Sequence, residues 1–326
     1  MPRIRLYMAP MKGFTDYIFR SAFADHFGGF DLAVAPFIVS KKDRRIKRKY
    51  VKDVLPENNT RMPVVPQILS KTPADFTFLS NYLYDLGYDT VNWNLGCPFP
   101  MVANKQRGSG MLPHTDRIRA FLDRVIPEIR GSLSIKLRLG WKESADIFRL
   151  LPVIDPYPLS EIIIHPRTGL QRYQGPVDLD AFEDCLAATR HLVVYNGDIR
   201  TVDDFRRLSR RFGRVYAWMI GRWCLADPFL PVCITTGTDD IPDKIYRMQR
   251  FHEALFEAYS GVLDGPSHVL GKMKGFWQYF SLPFEDCKKA MKEIRKTQRP
   301  DQYLEQVNLF FETQAQLRRP QAKLSA

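Results

Sequence analysis

Thr90-Val91-Asn92-Trp93-Asn94-Leu95-Gly96-Cys97-Pro98 is a β-rich run that ends in a turn carrying a cysteine. Gly96 lets the backbone turn tightly and Pro98 fixes the exit dihedral. The thiol is thereby presented at a strand end, where sites of α/β proteins sit. On this segment alone an inert thiol packed in a turn explains the pattern equally well, because free cysteine is usually buried. The surroundings of the run have to decide.

Working outward, similar short runs recur at 4–8, 30–35, 63–68, 132–137, 161–164, 191–195 and 214–220, which with 90–94 makes eight. Several are apolar on successive residues, as expected of parallel strands buried on both faces. Helical periodicity lies between most of them. Residues 15–27 carry the stripe Tyr17, Ile18, Phe19, Ala22 and Phe23. Thr72 reads as an N-cap with Pro73 at the first helical position, leading into 76–86. Segments 115–130 and 201–212 each open with a capping-type threonine and first-turn acids. Eight strands alternating with helices predict a (β/α)8 TIM barrel over 1–240. After Asp227-Pro228 the alternation stops. Ile245, Met248, Phe251, Leu255, Phe256 and Tyr259 then fall at helix spacing, with breaks at 261–265 and Leu282-Pro283. The expectation is an α/β barrel with a C-terminal helical domain at 241–318 and a loose tail at 319–326.

A chain of 326 residues can bury a barrel-sized core, and its 45% hydrophobic and 26% charged residues are those of an ordinary globular protein. No run approaches the roughly 20 apolar residues of a transmembrane helix, so no membrane partner is expected. The first strand-like run begins within a few residues of Met1, so no signal peptide is visible and the cytoplasm is the expected location. The five cysteines are scattered at 97, 185, 224, 233 and 287 without a C-x-x-C pair. Neither a disulfide framework nor a metal site is expected from them. The net charge of +12 favours a polyanionic partner. It is concentrated at 41–52, where eight of twelve residues are Lys or Arg. A solvated face is the bland account of such a run, and phosphate contact is the functional one. Lys272, Lys274, Lys288, Lys289, Lys292, Arg295, Lys296 and Arg299 suggest a basic face on the helical domain as well.

Chemistry in a barrel of this kind collects at the C-terminal strand ends. Those ends carry Pro10 and Met11, Gln67, Asn94 and Cys97, Lys136 and Arg138, His165 and Arg167, Asn196-Gly197-Asp198, and Gly221-Arg222. An inward lysine at 136 would be costly unless it met an anion, whereas an outward one would be ordinary surface. His165 alone could be a satisfied core histidine, and Asn196-Gly197 an ordinary turn. Gly221 and Arg222 offer N–H groups and a guanidinium at the loop where such barrels bind phosphate. Together these residues suggest a phosphate-bearing cofactor. Gln67 and Lys136 suit the polar edge of an isoalloxazine, with Lys136 countering charge near N1 of a reduced flavin. Cys97 would then lie opposite the ring, and a thiol near its ordinary pKa of ~8.5 suits proton transfer.

The ordered motifs Ala9-Pro10-Met11 with Gly13 and Thr15-Asp16, Asn94-x-Gly96-Cys97-Pro98, and Lys105 with Gly108-Ser109-Gly110 extend this set. Lys136-Leu137-Arg138-Leu139-Gly140, His165-x-Arg167-Thr168, Gln171-x-Tyr173-x-Gly175, Asn196-Gly197-Asp198-Ile199 and Met219-Ile220-Gly221-Arg222 complete it. In this the chain resembles the tRNA-dihydrouridine synthases across the barrel and, more loosely, the helical region. The resemblance implies an FMN enzyme that reduces the C5–C6 double bond of selected tRNA uridines, with NADPH or NADH restoring the flavin. It implies hydride transfer to C6 and protonation of C5 by Cys97. It assigns FMN to Pro10, Met11, Gln67, Lys136, His165, Asn196, Gly197, Asp198, Gly221 and Arg222. Asn94 and Arg167, with Lys105 and Arg138, would meet the uracil or its surroundings. A monomer is expected.

Asn92 stands where that family usually has Asp, and Pro166 follows the histidine in place of a small residue. Ala35-Pro36-Phe37, Lys12 and Gln106-Arg107 depart from the pattern too. Two other readings stay open at this level: an FMN barrel oxidoreductase acting on a small pyrimidine, and a non-catalytic RNA-binding barrel. Which uridine is modified is not legible in the linear sequence.

Overall fold

The computed structural model describes residues 3–42 and 45–318; Asp43 and Arg44 of the basic run and the expected tail at 319–326 lie outside them. Ten parallel segments form one sheet: β1 (Leu6–Met8), β2 (Leu32–Val34), β3 (Ile38–Val39), β4 (Val64–Val65), β5 (Gln67–Leu69), β6 (Thr90–Leu95), β7 (Ser132–Gly140), β8 (Leu159–Thr168), β9 (Val193–Tyr195) and β10 (Ala217–Ile220). Their order is β3-β5-β6-β7-β8-β9-β10-β1-β2-β4. The two ends of that order are the same pair of strands. β2 and β3 are halves of one strand broken at Ala35-Pro36-Phe37, and β4 and β5 are halves of another broken at Pro66. Proline has no N–H to give the ladder. The Pro66 carbonyl still accepts from Asn92 N at 2.8 Å, so pairing continues across the break. The ten segments are therefore eight strands closed into a TIM barrel.

The eight expected runs are all present, but β7 and β8 outlast the readings of 132–137 and 161–164. Their polar residues looked like strand ends. Instead Arg138 pairs in register with His165, and the ladder shifts between Leu133 and Ile135 and again between Arg138 and Gly140. Alternation decides which side chains face inward. Leu133, Ile135 and Leu137 join the large outer core beneath the helices, which turns Ser134, Lys136 and Arg138 into the barrel. Ile163, Val194, Ala217 and Met219, with Tyr7, Ala9 and Val34, form a separate smaller cluster on the opposite side of the sheet. The barrel interior thus combines this apolar cluster with inward polar residues, among them Lys136 and Arg138 of β7.

Thr201 Oγ1 accepts from Asp204 N at 3.1 Å, so that cap forms as expected. The helix expected at 115–130 runs Thr115–Val125 with His114 at the N-cap, which places Thr115 inside it. The chain then adds four helices beyond the barrel. With α1 as Tyr17–His26, these are α2 (Lys244–Ser260), α3 (Pro266–Phe280), α4 (Lys288–Lys296) and α5 (Pro300–Thr313). The break between α4 and α5 was not legible as one; Pro300 opens α5 at its first turn. Phe19 of α1 packs on Phe251 and Phe276 at ring distances of 5.6 and 5.5 Å, fusing the helical region to the barrel core. No helix among the described residues is long and apolar enough to cross a membrane.

Candidate active site

A cavity of about 180 Å³, open to solvent, lies at the C-terminal ends of the strands. It gathers all but three of the site residues expected from the sequence: Pro10, Met11, Asn94, Cys97, Lys136, Arg138, His165, Asn196, Gly197, Asp198, Gly221 and Arg222 line it. Gln67, Lys105 and Arg167 do not.

The wall bearing Cys97 is built from neutral groups. Asn94 Oδ1 accepts the N–H groups of Gly96 and Cys97 at 3.1 and 2.9 Å, closing the turn over the end of β6. Asn94 Nδ2 donates to Gln67 Oε1, Gln67 Nε2 to Asn92 Oδ1, and Asn92 Nδ2 to Ser134 Oγ, each at 2.7 Å. This buried chain crosses three strands and satisfies groups that would be costly if left unpaired. Asn92 donates at one end and accepts at the other, whereas a carboxylate could only accept. That is what the departure at position 92 does in this chain. From the far side, Ser109 N and Oγ donate to the Cys97 carbonyl at 3.1 and 2.9 Å. Gly108 makes the approach possible: at φ +54°, a Cβ there would lie 2.7 Å from the same carbonyl oxygen. Burial pushes the Cys97 thiol up, against the Phe99 amide and the Arg138 and Lys12 charges. Cys97 is held as a thiol, able to give a proton.

The wall beside it is charged. Lys136 Nζ donates to Asn196 Oδ1 at 2.6 Å, and Asn196 Nδ2 donates to Met219 O at 3.0 Å. Burial, helped by Arg138, brings the Lys136 ammonium down to about 7. Arg138 donates to the carbonyls of Gly96, Thr168 and Arg172 at 3.0, 2.8 and 2.7 Å, which fixes its guanidinium between the two walls. His165 is held well below its ordinary range by burial and by Arg138, Lys136 and Arg167. Arg167 Nη1 lies 3.0 Å from His165 Nε2, and a guanidinium can only donate. His165 is therefore neutral with its proton on Nδ1.

Asp198 sits among three guanidinium groups, at 2.5 Å from Arg167, 2.9 Å from Arg222 and 3.3 Å from Arg200. Burial alone would raise its carboxyl, but these partners hold it below the usual carboxylate range. One carboxylate among three cations leaves a positive pocket where the loops after β9 and β10 meet. It suits a phosphate. Gly197 is required beside it, since a Cβ there would lie 2.1 Å from the Tyr195 hydroxyl oxygen.

The three residues outside the cavity support it or stand apart. Gln67 is fully buried within the amide chain, and Arg167 is buried behind Asp198 and His165. Lys105 is exposed on the surface after the Cys97 turn. Several lining residues had no assigned role. Tyr173 lies with its ring centroid 4.6 Å from Arg222 and 5.4 Å from Arg138. Lys12 sits over Phe37 at 5.1 Å. Tyr279 comes from α3, so the helical region itself lines the cavity. Tyr173 was visible in its motif, but helix periodicity says nothing of which face of α3 meets the barrel. Among the described residues, no group of three or more His, Cys, Asp or Glu side chains could hold a metal ion.

The expected basic face of the helical region is smaller than its sequence implied. Lys272 donates to Asp16 and Gly13, Lys274 to the Arg295 and Thr297 carbonyls, and Arg299 pairs with Asp301. Lys288, Lys289, Lys292 and Arg295 remain exposed on and around α4.

The chain is similar to known proteins in sequence and in fold. The tRNA-dihydrouridine(16) synthase of Cupriavidus necator is 28% identical over 306 residues, covering 90% of this chain and 93% of that protein. The probable tRNA-dihydrouridine synthase of Rhizobium leguminosarum bv. phaseoli is 29% identical over 237 residues, 70% of each chain. Among solved structures, histamine dehydrogenase from Rhizobium sp. 4-9 shares the fold with a TM-score of 0.55 at 11% identity, over 78% of this chain and 49% of that one. The old yellow enzyme homologue of Zymomonas mobilis does so with a TM-score of 0.51 at 11% identity, over 74% and 91%. Residues 7–316 match the family described as dihydrouridine synthase (Dus), and with nearly the whole chain inside that match, this protein belongs to the dihydrouridine synthases.

Proposed function

We propose that this protein reduces the C5–C6 double bond of uridine in tRNA, using FMN that NADPH or NADH returns to its reduced form. The observation that carries the reading is that a protonated Cys97 thiol and an inward Lys136 ammonium, from the ends of neighbouring strands, line one cavity. Among the described residues, the hydrogen-bond partner of Lys136 is a neutral amide oxygen, and its ammonium lines the cavity. Reduced flavin supplies a hydride and carries negative charge near N1. Lys136, His165 and Asn196 would meet its polar edge, with Pro10 and Met11 along the ring. Gly197, Asp198, Gly221 and Arg222 would surround its phosphate.

This chain's own residues do the rest. The Cys97 Sγ–H delivers a proton to C5 as hydride reaches C6, leaving a thiolate that solvent reprotonates. Ser109 and Asn94 hold the turn so that the sulfur stays at the cavity edge. Asn94 and Arg138 orient the uracil carbonyls; Gln67 and Arg167 act one step behind, through Asn94 and Asp198. The target base must leave its stack to enter such a cavity. Lys105, the run at 41–52 and the exposed lysines near α4 supply phosphate contacts. The cytoplasm, where tRNA is found, is the expected site of action.

Purified protein incubated with NADPH and tRNA from cells lacking dihydrouridine should be yellow and should form dihydrouridine. Turnover of free uracil but not tRNA would favour a small-molecule reductase. A colourless protein that FMN cannot reconstitute would favour a non-catalytic RNA-binding barrel.

A further inference from the structure

The loop between β1 and α1 contributes Pro10, Met11, Lys12 and Phe14 to the cavity. It is closed on itself at one end. Thr15 Oγ1 accepts from Met11 N at 2.8 Å and donates to Ala9 O at 3.1 Å. Its apex is held from outside the barrel. Lys272 Nζ, on α3, donates to the carbonyl of Gly13 at 2.8 Å and to Asp16 Oδ2 at 2.6 Å. Tyr259 of α2 donates its hydroxyl to Asp16 Oδ1 at 2.7 Å, and the same oxygen caps α1 through Phe19 N at 3.1 Å. Phe14 meets Phe276 and Tyr279 edge-on at 5.5 and 5.2 Å.

The chemistry at this point is asymmetric. Among the described ion pairs, Lys272 is the sole cationic partner of Asp16. The nearby Arg20 is committed to Asp53, Asn59 and the Thr15 carbonyl. Taking the ammonium away would leave the partly buried Asp16 carboxylate without its cation, held by Tyr259 and Phe19 alone, and beside Asp53, whose carboxyl is pushed up by burial and, in smaller part, by Asp16. It would also release the carbonyl of Gly13, the one residue of this loop at positive φ (+87°). The loop would relax where it borders the cavity.

We infer that Lys272 is a positioning residue for the cofactor loop, so that the helical region shapes the flavin site as well as presenting a basic surface. The inference rests on the FMN reading above. Lys272 touches no reacting atom; it acts through Gly13 and Asp16.

The test uses the full chain, with FMN titrated by flavin fluorescence and the bound flavin followed by visible circular dichroism. Lys272→Met should weaken FMN by about tenfold, the scale of one charge-assisted hydrogen bond, and change the flavin dichroism. Lys272→Arg should restore both to within about threefold, because it keeps the cation and its donors. Glu312→Ala, on the exposed surface of α5, should leave FMN affinity as it was. If Lys272→Met does not fold, Tyr259→Phe decides, since it removes only the second donor to Asp16 and should weaken FMN by about threefold. Wild-type affinity and dichroism in the folded Lys272→Met chain, or in Tyr259→Phe where that variant decides, overturns the inference. An arginine variant as impaired as the methionine one overturns it too. A wild-type chain that takes up no FMN overturns the cofactor reading first, and this inference with it.

Discussion

The two walls of the cavity are held by different physics. The Cys97 wall is a chain of neutral hydrogen bonds from Ser134 through Asn92, Gln67 and Asn94 to the backbone of the turn. The other wall is a cluster of ions around Asp198, with Lys136 and His165 beside it. Neutral bonds keep their geometry across pH but lose it when one partner is removed. Charged groups respond to pH and to any anion that enters. The arrangement suits a reaction in which one side must keep a sulfur in place and the other must accommodate developing charge.

The largest expected effect breaks the neutral wall at its end. Cys97→Ala should keep FMN and its reduction by NADPH but lower dihydrouridine formation by about 10²–10⁴-fold in single-turnover assays on tRNA. A wild-type rate would remove the proton-donor role. Next, Lys136→Met should weaken FMN by about a hundredfold, because the anion loses its buried counter-charge. The same lysine sets a pH dependence. With its folded pKa near 7 and an unfolded value of 10.5, the unfolded chain binds more protons between those values. The stability of the cofactor-free protein should therefore rise as pH climbs from 7 toward 10.5. FMN should raise the Lys136 pKa, so calorimetry at pH 8 in two buffers of different ionisation enthalpy should show proton uptake that Lys136→Met abolishes.

A smaller effect sharpens the contrast. Asn92→Val should cost about 2 kcal/mol in thermal or urea unfolding, since Gln67 and Ser134 each lose a buried partner. Its turnover should fall at every pH alike, unlike that of a charged-wall variant. Least of all, Lys289→Ala or Lys292→Ala should weaken tRNA binding about two- to threefold each and flatten its salt dependence, with FMN unaffected.

Much of the site was legible because strand alternation is a local property. The barrel reading placed Lys136, Arg138 and His165 at strand ends but left the direction of Lys136 open; the structure turns all three into the cavity. Gln67 was equally visible as a polar strand-end residue, but its bonds to Asn92 and Asn94 depend on the register between β5 and β6. Arg167 read as a uracil contact until Asp198, 31 residues away, was seen to take its guanidinium. The basic count in the helical region overstated its free charge because Lys272 and Lys274 turn inward onto carbonyls and a carboxylate.

By itself the sequence determined the barrel, the cysteine turn and the set of polar residues at its mouth. Each of these follows from short-range rules: side-chain period, turn chemistry and the ordered motifs. Only the tertiary structure decided which amide satisfies which, and that α2 and α3 reach back to hold the loop after β1. The Lys272–Asp16 pair joins residues 256 positions apart. Such a contact arises when the helical region packs on the Phe19 face of the barrel, and no local pattern in the chain encodes it.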